Sequence, residues 1–508
     1  MFRPALHLHP AYIFLRHLLF DEFIVDGLRR FIIDCCSSAE SHETKIFLTA
    51  DYTDSADARG LYPPFRQAQG PEPAERRPSA LSAVKFLNHK SAALRALILI
   101  VSVVVFVTSD LHAEFALHDG DTVAFLGDSI TAARGYTKIV ELYTLMRFPE
   151  RRVRFVNAGQ GGDTASGCLE RLERDVFSKG ATVVTVAFGV NDIGWGMKAD
   201  AEHRQRYLDS IRSIIERCKA RNVRPIICST AITAEAPDSA EKGFLQQMTD
   251  DGLALAKSLG AETIDLQRGM RETQRRVAGS NASERDPKKQ TRLHVEDGVH
   301  LNELGHLAMA YAMLKGLGAP SDVSSAVLDA KQETPVSADG CTISDIKPRA
   351  DGIDFTRLDQ GLPINLGTFS VLNYRWITVP EGINRYMLTV KNLPPGDYEI
   401  RAEGRLLGKF NAEQLARGVN IASATSNGWE PGGPWDVQSV AVKELVDARD
   451  KLSSGANEQS RFLANHPNSV ELDNATKKLD DDIVSLQRAM AKPYAYHFEV
   501  RRVGAANN

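Results

Sequence analysis

The sequence predicts an α/β fold, with a parallel sheet covered by helices on both faces, followed by a smaller β-rich domain with helices. From Asp121 onward, strand-like and helix-like segments alternate, as in a parallel sheet with helical crossovers. The segment 182–188 is β-branched and apolar on both faces, which is typical of a strand buried inside such a sheet. After Gly318 the alternation stops, and short strand candidates separated by turn signals dominate.

The elements of the first domain follow in chain order. The predicted strands are 122–126, 154–157, 182–188, 225–229 and 263–266. A covering helix is predicted where apolar side chains recur at helical spacing, at Tyr207, Ile211, Ile214, Ile215 and Cys218. Because parallel sheets carry their active sites at the carboxyl ends of the strands, the residues that follow each strand are the candidates for chemistry.

The second domain is predicted from weaker signals. Residues 319–340 have the composition of a linker, and residues 341–503 form the accessory domain. Its predicted strands are 374–379, 385–390 and 397–402, its predicted helices are 436–451 and 470–490, and a last strand at 494–503 is expected to return to the β-unit. Trp429 and Trp435 either stack on sugar rings or, the preferred interpretation, pack against the catalytic domain.

Length, charge and cysteine spacing restrict the class of protein. A chain of 508 residues is too long for one ordinary domain. Its formal net charge of -4, without a basic run, gives no reason to expect nucleic-acid binding. No pair of cysteines has the spacing of a zinc site. Disulfides and free buried thiols both remain open for Cys168, Cys218, Cys228 and Cys341.

An apolar segment near the N-terminus predicts export. Residues 96–107 are preceded by basic side chains and followed by Ala113, and their length of about twelve residues is short of the roughly twenty that span a bilayer. We interpret 85–113 as a signal peptide, with an uncleaved anchor as the alternative. Residues 1–84 are expected to be a disordered extension or the product of a start codon assigned too early, with a real cytoplasmic extension as the alternative. The predicted location is periplasmic or extracellular, and no stable membrane span is expected after cleavage.

Four short motifs carry the chemistry. They are Gly-Asp-Ser at 127–129, a glycine-rich stretch at 157–164, Gly-Val-Asn-Asp at 189–192 and Asp-Gly-Val-His at 297–300. A serine hydroxyl becomes a nucleophile when a base takes its proton, and a histidine is held in the required tautomer by a carboxylate. A dinucleotide loop is the weaker interpretation of the glycine-rich stretch, because Thr164 stands where its third glycine belongs.

These motifs, in this order, resemble the SGNH or GDSL family of serine esterases and lipases, over residues 119–318. The resemblance implies a flavodoxin-like three-layer α/β/α hydrolase domain in an exported bacterial enzyme without a cofactor. It implies Ser129 as nucleophile, His300 as base and Asp297 as the residue that orients the base. It also implies an oxyanion hole formed by the backbone N–H groups of Ser129 and Gly162 and by the side-chain amide of Asn191. The neighbouring Asp128 and Asp192 are expected to bind loop amides.

The loops beside these motifs indicate the class of substrate. They are polar and glycine-rich, with Tyr136 and Trp195 as predicted substrate-binding aromatics, although Trp195 packing locally under its loop is an equal alternative. We therefore predict hydrolysis of short-acyl, acetyl-type esters of a carbohydrate, with a small-molecule or glycan ester as partner. A lipase or arylesterase, a non-catalytic glycan-binding module, and an interaction protein driven by the C-terminal helices are the alternatives. The oligomeric state is left open.

Overall fold

The structure is a computed structural model that describes residues 114–367, 370–463 and 465–504. The predicted extension at 1–84 and the predicted signal peptide at 85–113 lie outside the described residues. Among the residues that are described, no helix combines the length and the apolar character needed to cross a membrane.

The first domain is built on a five-stranded, all-parallel sheet. Its strands are β1 (Thr122–Gly127), β2 (Arg154–Gly159), β3 (Val183–Ala187), β4 (Arg224–Cys228) and β5 (Glu262–Ile264). They lie in the order β2-β1-β3-β4-β5, which is the flavodoxin-like order. The predicted strands are confirmed, with small differences at their ends.

Helices cover both faces of this sheet. They are α1 (Ser129–Ala132), α2 (Gly135–Arg147), α3 (Leu172–Asp175), α4 (Ala201–Ala220), α5 (Pro237–Ala240), α6 (Phe244–Ser258), α7 (Leu266–Asn281) and α8 (Glu303–Gly316). Successive side chains of a strand point to opposite faces. Accordingly, Val123 and Phe125 of β1 join one apolar cluster with α2, α7 and α8, whereas Ala124 and Leu126 join a second cluster with α3, α4 and α6. The predicted three-layer α/β/α fold is confirmed.

The accessory domain consists of two sheets and a long helical hairpin. Its strands are β6 (Asp322–Asp329), β7 (Ser337–Asp339), β8 (Cys341–Arg349), β9 (Gly352–Asp359), β10 (Arg385–Lys391), β11 (Asp397–Ala402), β12 (Arg405–Asn411), β13 (Val419–Asn420) and β14 (Tyr496–Arg502). Its helices are α9 (Val379–Gly382), α10 (Ala412–Arg417), α11 (Pro434–Phe462) and α12 (Ser469–Ala491). The sheets have the strand orders β13-β10-β6-β7 and β12-β11-β14-β9-β8. As predicted, the last strand returns to the β-unit, where it pairs with β9 and β11.

Two secondary-structure predictions in this region are wrong. The predicted linker at 319–340 contains β6 and β7, and β6 buries Val323 and Leu328 while pairing with β10. Serines between its apolar residues hid the alternation, and β10, the strand with which it pairs over its full length, lies far along the chain. The predicted strand at 374–379 is a helical turn followed by α9, because Pro380 at the first turn of a helix has a backbone angle that starts the helix.

The position of Trp435 also differs from the preferred interpretation, in which it packs against the catalytic domain. It is fully buried inside the accessory domain, where its ring packs against Tyr386 and Phe498, and its indole N–H donates to the carbonyl of Ala422. Trp429 is largely exposed. Trp435 therefore belongs to the core of the accessory domain and not to its contact with the catalytic domain.

The two domains nevertheless share one apolar core. A single cluster of buried side chains runs from Phe125 in the first sheet to Phe355 and Trp435 in the accessory domain. The hairpin of α11 and α12 packs on α2, and its Arg449 donates to the carboxylate of Glu141 and to the carbonyl of Phe155 at the sheet edge. The accessory domain therefore helps to hold the strand β2 in place.

Candidate active site

The predicted nucleophile lies where a strand turns into a helix at the centre of the sheet edge. Strand β1 ends at Gly127, and Ser129 is the first residue of α1. The Asp128 carboxylate accepts the backbone N–H of Ile130 at 2.9 Å and caps this short helix. Because β1 lies between β2 and β3, the loops that carry Gly162 and Asn191 flank Ser129 on either side.

Glycine and asparagine at the end of β2 allow the nucleophile helix to approach closely. A Cβ atom on Gly159 would lie 2.2 Å from the backbone nitrogen of Ala132, so only glycine fits there. The Asn157 amide donates to the carbonyl of Thr131 at 2.8 Å, while its Oδ1 accepts the N–H of Gly159. The strand β2 and the helix α1 are thereby held together.

The three predicted catalytic side chains form a hydrogen-bonded chain. His300 Nε2 lies 2.8 Å from Ser129 Oγ, and His300 Nδ1 lies 2.6 Å from Asp297 Oδ2. Asp297 Oδ1 also accepts the N–H groups of Val299 and His300, which fixes the loop. The hydrogen bond from His300 is the largest cause of a lowered pKa of Asp297, about 2. In a neutral imidazole with the proton on Nδ1, Nε2 is free to accept the serine proton.

The loop carrying Asp297 and His300 is fixed to the rest of the domain. The carbonyl of Gly298, which has a positive φ of 72°, accepts the N–H of Ala234 in the loop that follows β4. His294 is buried, and its Nε2 donates to the carbonyl of Ile232. Burial lowers the pKa of His294. His294 therefore anchors the loop as a neutral side chain.

The residues predicted for the oxyanion hole lie at neighbouring strand ends. Gly162 has a positive φ of 74°, which favours glycine, and its N–H donates to no group in the described part of the chain. Ser129 begins α1, so its N–H has no partner within the helix. The Asn191 amide Nδ2 donates to the carbonyl of Asp163 at 3.0 Å. Stabilisation of an oxyanion by these three groups remains a prediction.

Trp195 contacts both sides of the site. Its indole Nε1 donates to Asn191 Oδ1 at 2.9 Å, and its ring centroid lies 5.7 Å from that of His300 in an edge-to-face arrangement. The side chain is 49% exposed. The structure therefore brings Trp195 to the catalytic residues, while its contact with substrate remains a prediction.

Tyr136 is wrongly predicted as a substrate-binding residue. It is fully buried, its hydroxyl pairs with Thr131 Oγ1 at 3.0 Å, and its ring packs edge-on against Phe125. Gly135 begins α2, and this helix turns Tyr136 toward the sheet. The polar residues around it suggested an exposed loop, whereas the side chain belongs to the core beneath the nucleophile.

Arg171 supports the site, and the motifs contain no signal for it. Buried against the ends of β1 and β2, its guanidinium donates to Asp163 Oδ2 at 2.7 Å, to the carbonyl of Ala158 at 2.6 Å and to that of Gly127 at 3.1 Å. It therefore connects the ends of β1 and β2 with the residue that follows Gly162.

The aspartates next to the catalytic residues are structural, as expected from the sequence. Asp192 Oδ1 accepts the N–H of Ala165 at 3.0 Å. Burial raises the pKa of Asp128 to about 6 and that of Asp192 to about 7. These carboxyl groups hold the loops beneath the site in place, and neither replaces Asp297 beside the histidine.

In the described residues, no group of three or more histidine, cysteine or acidic side chains is placed to hold a metal ion. The cysteines whose pairing the sequence left open are free thiols in the structure: Cys168, Cys218, Cys228 and Cys341.

Comparisons with known proteins agree with this geometry. Residues 125–308 match the model of the GDSL-like lipase/acylhydrolase family. An acetylxylan esterase from Geobacillus stearothermophilus is 25% identical over 224 residues, which are 39% of this chain and 94% of that protein. A solved structure of that bacterium's acetylxylan esterase covers 40% of this chain and 96% of its own, with 22% identity and a TM-score of 0.34.

A further solved structure resembles both domains. It is a gut microbial diltiazem-metabolizing enzyme with a TM-score of 0.67 and 24% identity, and the match covers 76% of this chain and 98% of that chain. This likeness shows that the catalytic and accessory domains together form a fold that is already known. Residues 125–308 match the GDSL-like lipase/acylhydrolase family, and with Ser129, His300 and Asp297 hydrogen-bonded to one another the chain is an esterase.

Proposed function

We propose that this esterase removes short acyl groups, acetyl first of all, from a carbohydrate. The observation that carries the proposal is the complete triad, open to solvent, with a half-exposed tryptophan beside its histidine. The similarity to an acetylxylan esterase supports the same class of substrate.

The reaction follows from the positions of the side chains. Ser129 Oγ attacks the ester carbonyl while His300 Nε2 takes the hydroxyl proton. The oxyanion that forms accepts hydrogen bonds from the N–H groups of Ser129 and Gly162 and from the side-chain amide of Asn191. His300 then returns its proton to the departing alcohol, leaving an acyl-serine. A water molecule, deprotonated by His300, hydrolyses the acyl-serine and restores the enzyme.

The side chains near the nucleophile support a short acyl group. Each buried CH₂ contributes roughly 0.8 kcal/mol, so a site for long chains needs an extended apolar lining. The large apolar residues that adjoin the motifs, among them Ile130, Tyr136 and Ile193, are turned into the core. In the loop after Asn191, the half-exposed Trp195 is a large apolar side chain that lies next to His300.

The open site supports a bulky alcohol moiety. The side chains of His300 and Asp297 are 34% and 33% exposed, so the alcohol portion of an ester can extend into solvent. A half-exposed indole beside polar groups suits the apolar face of a sugar ring. Trp195 is the side chain that we assign to this contact.

The acyl preference is tested by measuring kcat/KM on p-nitrophenyl esters from acetate to palmitate and on acetylated xylo-oligosaccharides. We expect the highest kcat/KM at acetate, a steady fall beyond butyrate and release of acetate from the oligosaccharide. Purified Ser129→Ala provides the background rate. A maximum at eight carbons or longer would overturn the proposal in favour of a lipase.

We also propose that the enzyme is exported, on the basis of the apolar segment 96–107 and its flanks. Mass spectrometry of the protein's natural N-terminus tests this proposal. We expect a mature chain that begins at Glu114, and recovery of peptides from residues 1–80 in the secreted protein would refute it.

A further inference from the structure

We propose that Trp195 is a positioning residue that fixes the orientation of the Asn191 amide toward the reacting oxygen. Its indole N–H holds Asn191 Oδ1 at 2.9 Å, and its ring lies against His300. The inference rests on the oxyanion role proposed for Asn191, and it adds a residue to the site that none of the four motifs contains.

The orientation of the Asn191 amide is determined by its two partners. The carbonyl of Asp163 accepts hydrogen bonds and cannot donate, so it must face the amide Nδ2. The indole Nε1 of Trp195 donates and cannot accept, so it must face Oδ1. A flipped amide would place two acceptors together on one side and two donors together on the other. Since Nδ2 carries two hydrogens, one remains for the oxyanion.

The backbone around Trp195 is strained in a way that this contact explains. Gly194, Trp195 and Gly196 have positive φ angles of 51°, 59° and 94°, a region that bulky side chains rarely occupy. Such strain persists where surrounding contacts enforce it. The N–H of Gly194 donates to the carbonyl of Asn191, and the N–H of Trp195 to that of Val190. The tight turn therefore folds back onto Asn191 and brings the indole to its side chain.

Contact with His300 gives Trp195 a second catalytic neighbour. The two ring centroids lie 5.7 Å apart, with an interplanar angle of 70°. The same side chain thus touches the general base through its ring and the oxyanion amide through its N–H. The side chain is also half exposed, so its positioning role leaves part of its surface accessible to a substrate.

Trp195→Phe separates the ring contact with His300 from the hydrogen bond to Asn191, because it keeps an aromatic ring and removes the N–H donor. We expect kcat for p-nitrophenyl acetate to fall about 10- to 100-fold and KM to change less than about twofold. The fall in kcat should not exceed the fall caused by removing a whole oxyanion donor. Met197→Ala, in the same loop and 87% exposed, is the matched control and should retain the wild-type kcat. Thermal unfolding of both variants should match that of the wild type.

A double-mutant cycle with Asn191→Ala identifies the partner. If Trp195 acts through Asn191, Trp195→Phe should lower kcat less than about twofold in the Asn191→Ala background. Asn191→Asp, which retains Oδ1 and lacks the amide donor, serves in the same cycle should Asn191→Ala not fold. An unchanged kcat in Trp195→Phe, a change confined to KM, or an equal loss in both backgrounds would overturn the inference. Failure of the proposed function appears instead in the wild type, as a preference for long acyl chains.

Discussion

Asp192 places a carboxyl group beneath the loops of the site, where only one of its oxygens is bound. Oδ1 accepts the N–H of Ala165, while Oδ2 is buried without a partner among the described residues. Burial raises the pKa of Asp192 to about 7, and the nearby charges of Asp128 and Asp163 act in the same direction. Near neutral pH, the folded protein therefore retains a proton that the unfolded chain has lost.

The stability of the protein should depend on this proton. A carboxyl group with a raised pKa binds more protons in the folded state, so it lowers the free energy of unfolding as pH rises from about 4 to about 7, by up to about 1.4 kcal/mol per pH unit. Asp192→Asn keeps the acceptor for Ala165 and removes the titration. Urea unfolding across this range should show the variant gaining on the wild type with rising pH, whereas a constant difference would contradict the account.

The part of the site that performs chemistry could be predicted from sequence because its residues lie within short motifs. Ser129, Asp297 and His300 are each identified by their immediate neighbours, and the structure joins them by hydrogen bonds. The predicted substrate-binding role of Tyr136 is wrong because the direction of a side chain depends on where its helix begins. Arg171 was missed because its partners are carbonyl groups brought together by the sheet, which no spacing in the chain reveals.

At the level of elements, Arg171 supports the ends of β1 and β2 from the short segment that follows Gly162. Its removal would leave the buried Asp163 carboxylate unpaired, which typically costs about 3–5 kcal/mol. We expect Arg171→Ala to lower the free energy of unfolding by this amount. Arg174→Ala, from an exposed pair with Asp175, is the matched control, and it should cost less than about 1 kcal/mol. Equal effects in chemical denaturation would show that the Arg171 contacts have no special role.

The elements themselves were predictable to different degrees. The strands β1, β3 and β4 are buried on both faces, so each appears as an apolar run with a recognisable beginning and end. The strand β6 pairs only briefly with the nearby β7, and its long pairing is parallel, with the distant strand β10, where Arg385 lies opposite Asp322. Such distant pairing leaves no local pattern, and the segment therefore resembled a linker.

At the level of the whole molecule, the catalytic and accessory domains share a continuous apolar core. We therefore expect the described region to unfold in a single thermal transition, with equal calorimetric and van't Hoff enthalpies. Arg449→Ala, which leaves Glu141 buried without its cation, should lower that same transition. Lys443→Ala, from a partly exposed ion pair with Asp447 within α11, is the control. Two separate transitions, only one of which responds to Arg449→Ala, would show that the domains unfold independently.

The central claim is that Ser129 is the nucleophile of a short-acyl esterase. Its most direct test is mass spectrometry of the protein after reaction with a fluorophosphonate, combined with p-nitrophenyl acetate hydrolysis. We predict one adduct, located on Ser129, with loss of activity in proportion to labelling. Ser129→Ala should show no adduct and a kcat lower by several orders of magnitude, with an unchanged melting temperature. An adduct on another residue, or wild-type activity in Ser129→Ala, would contradict the account.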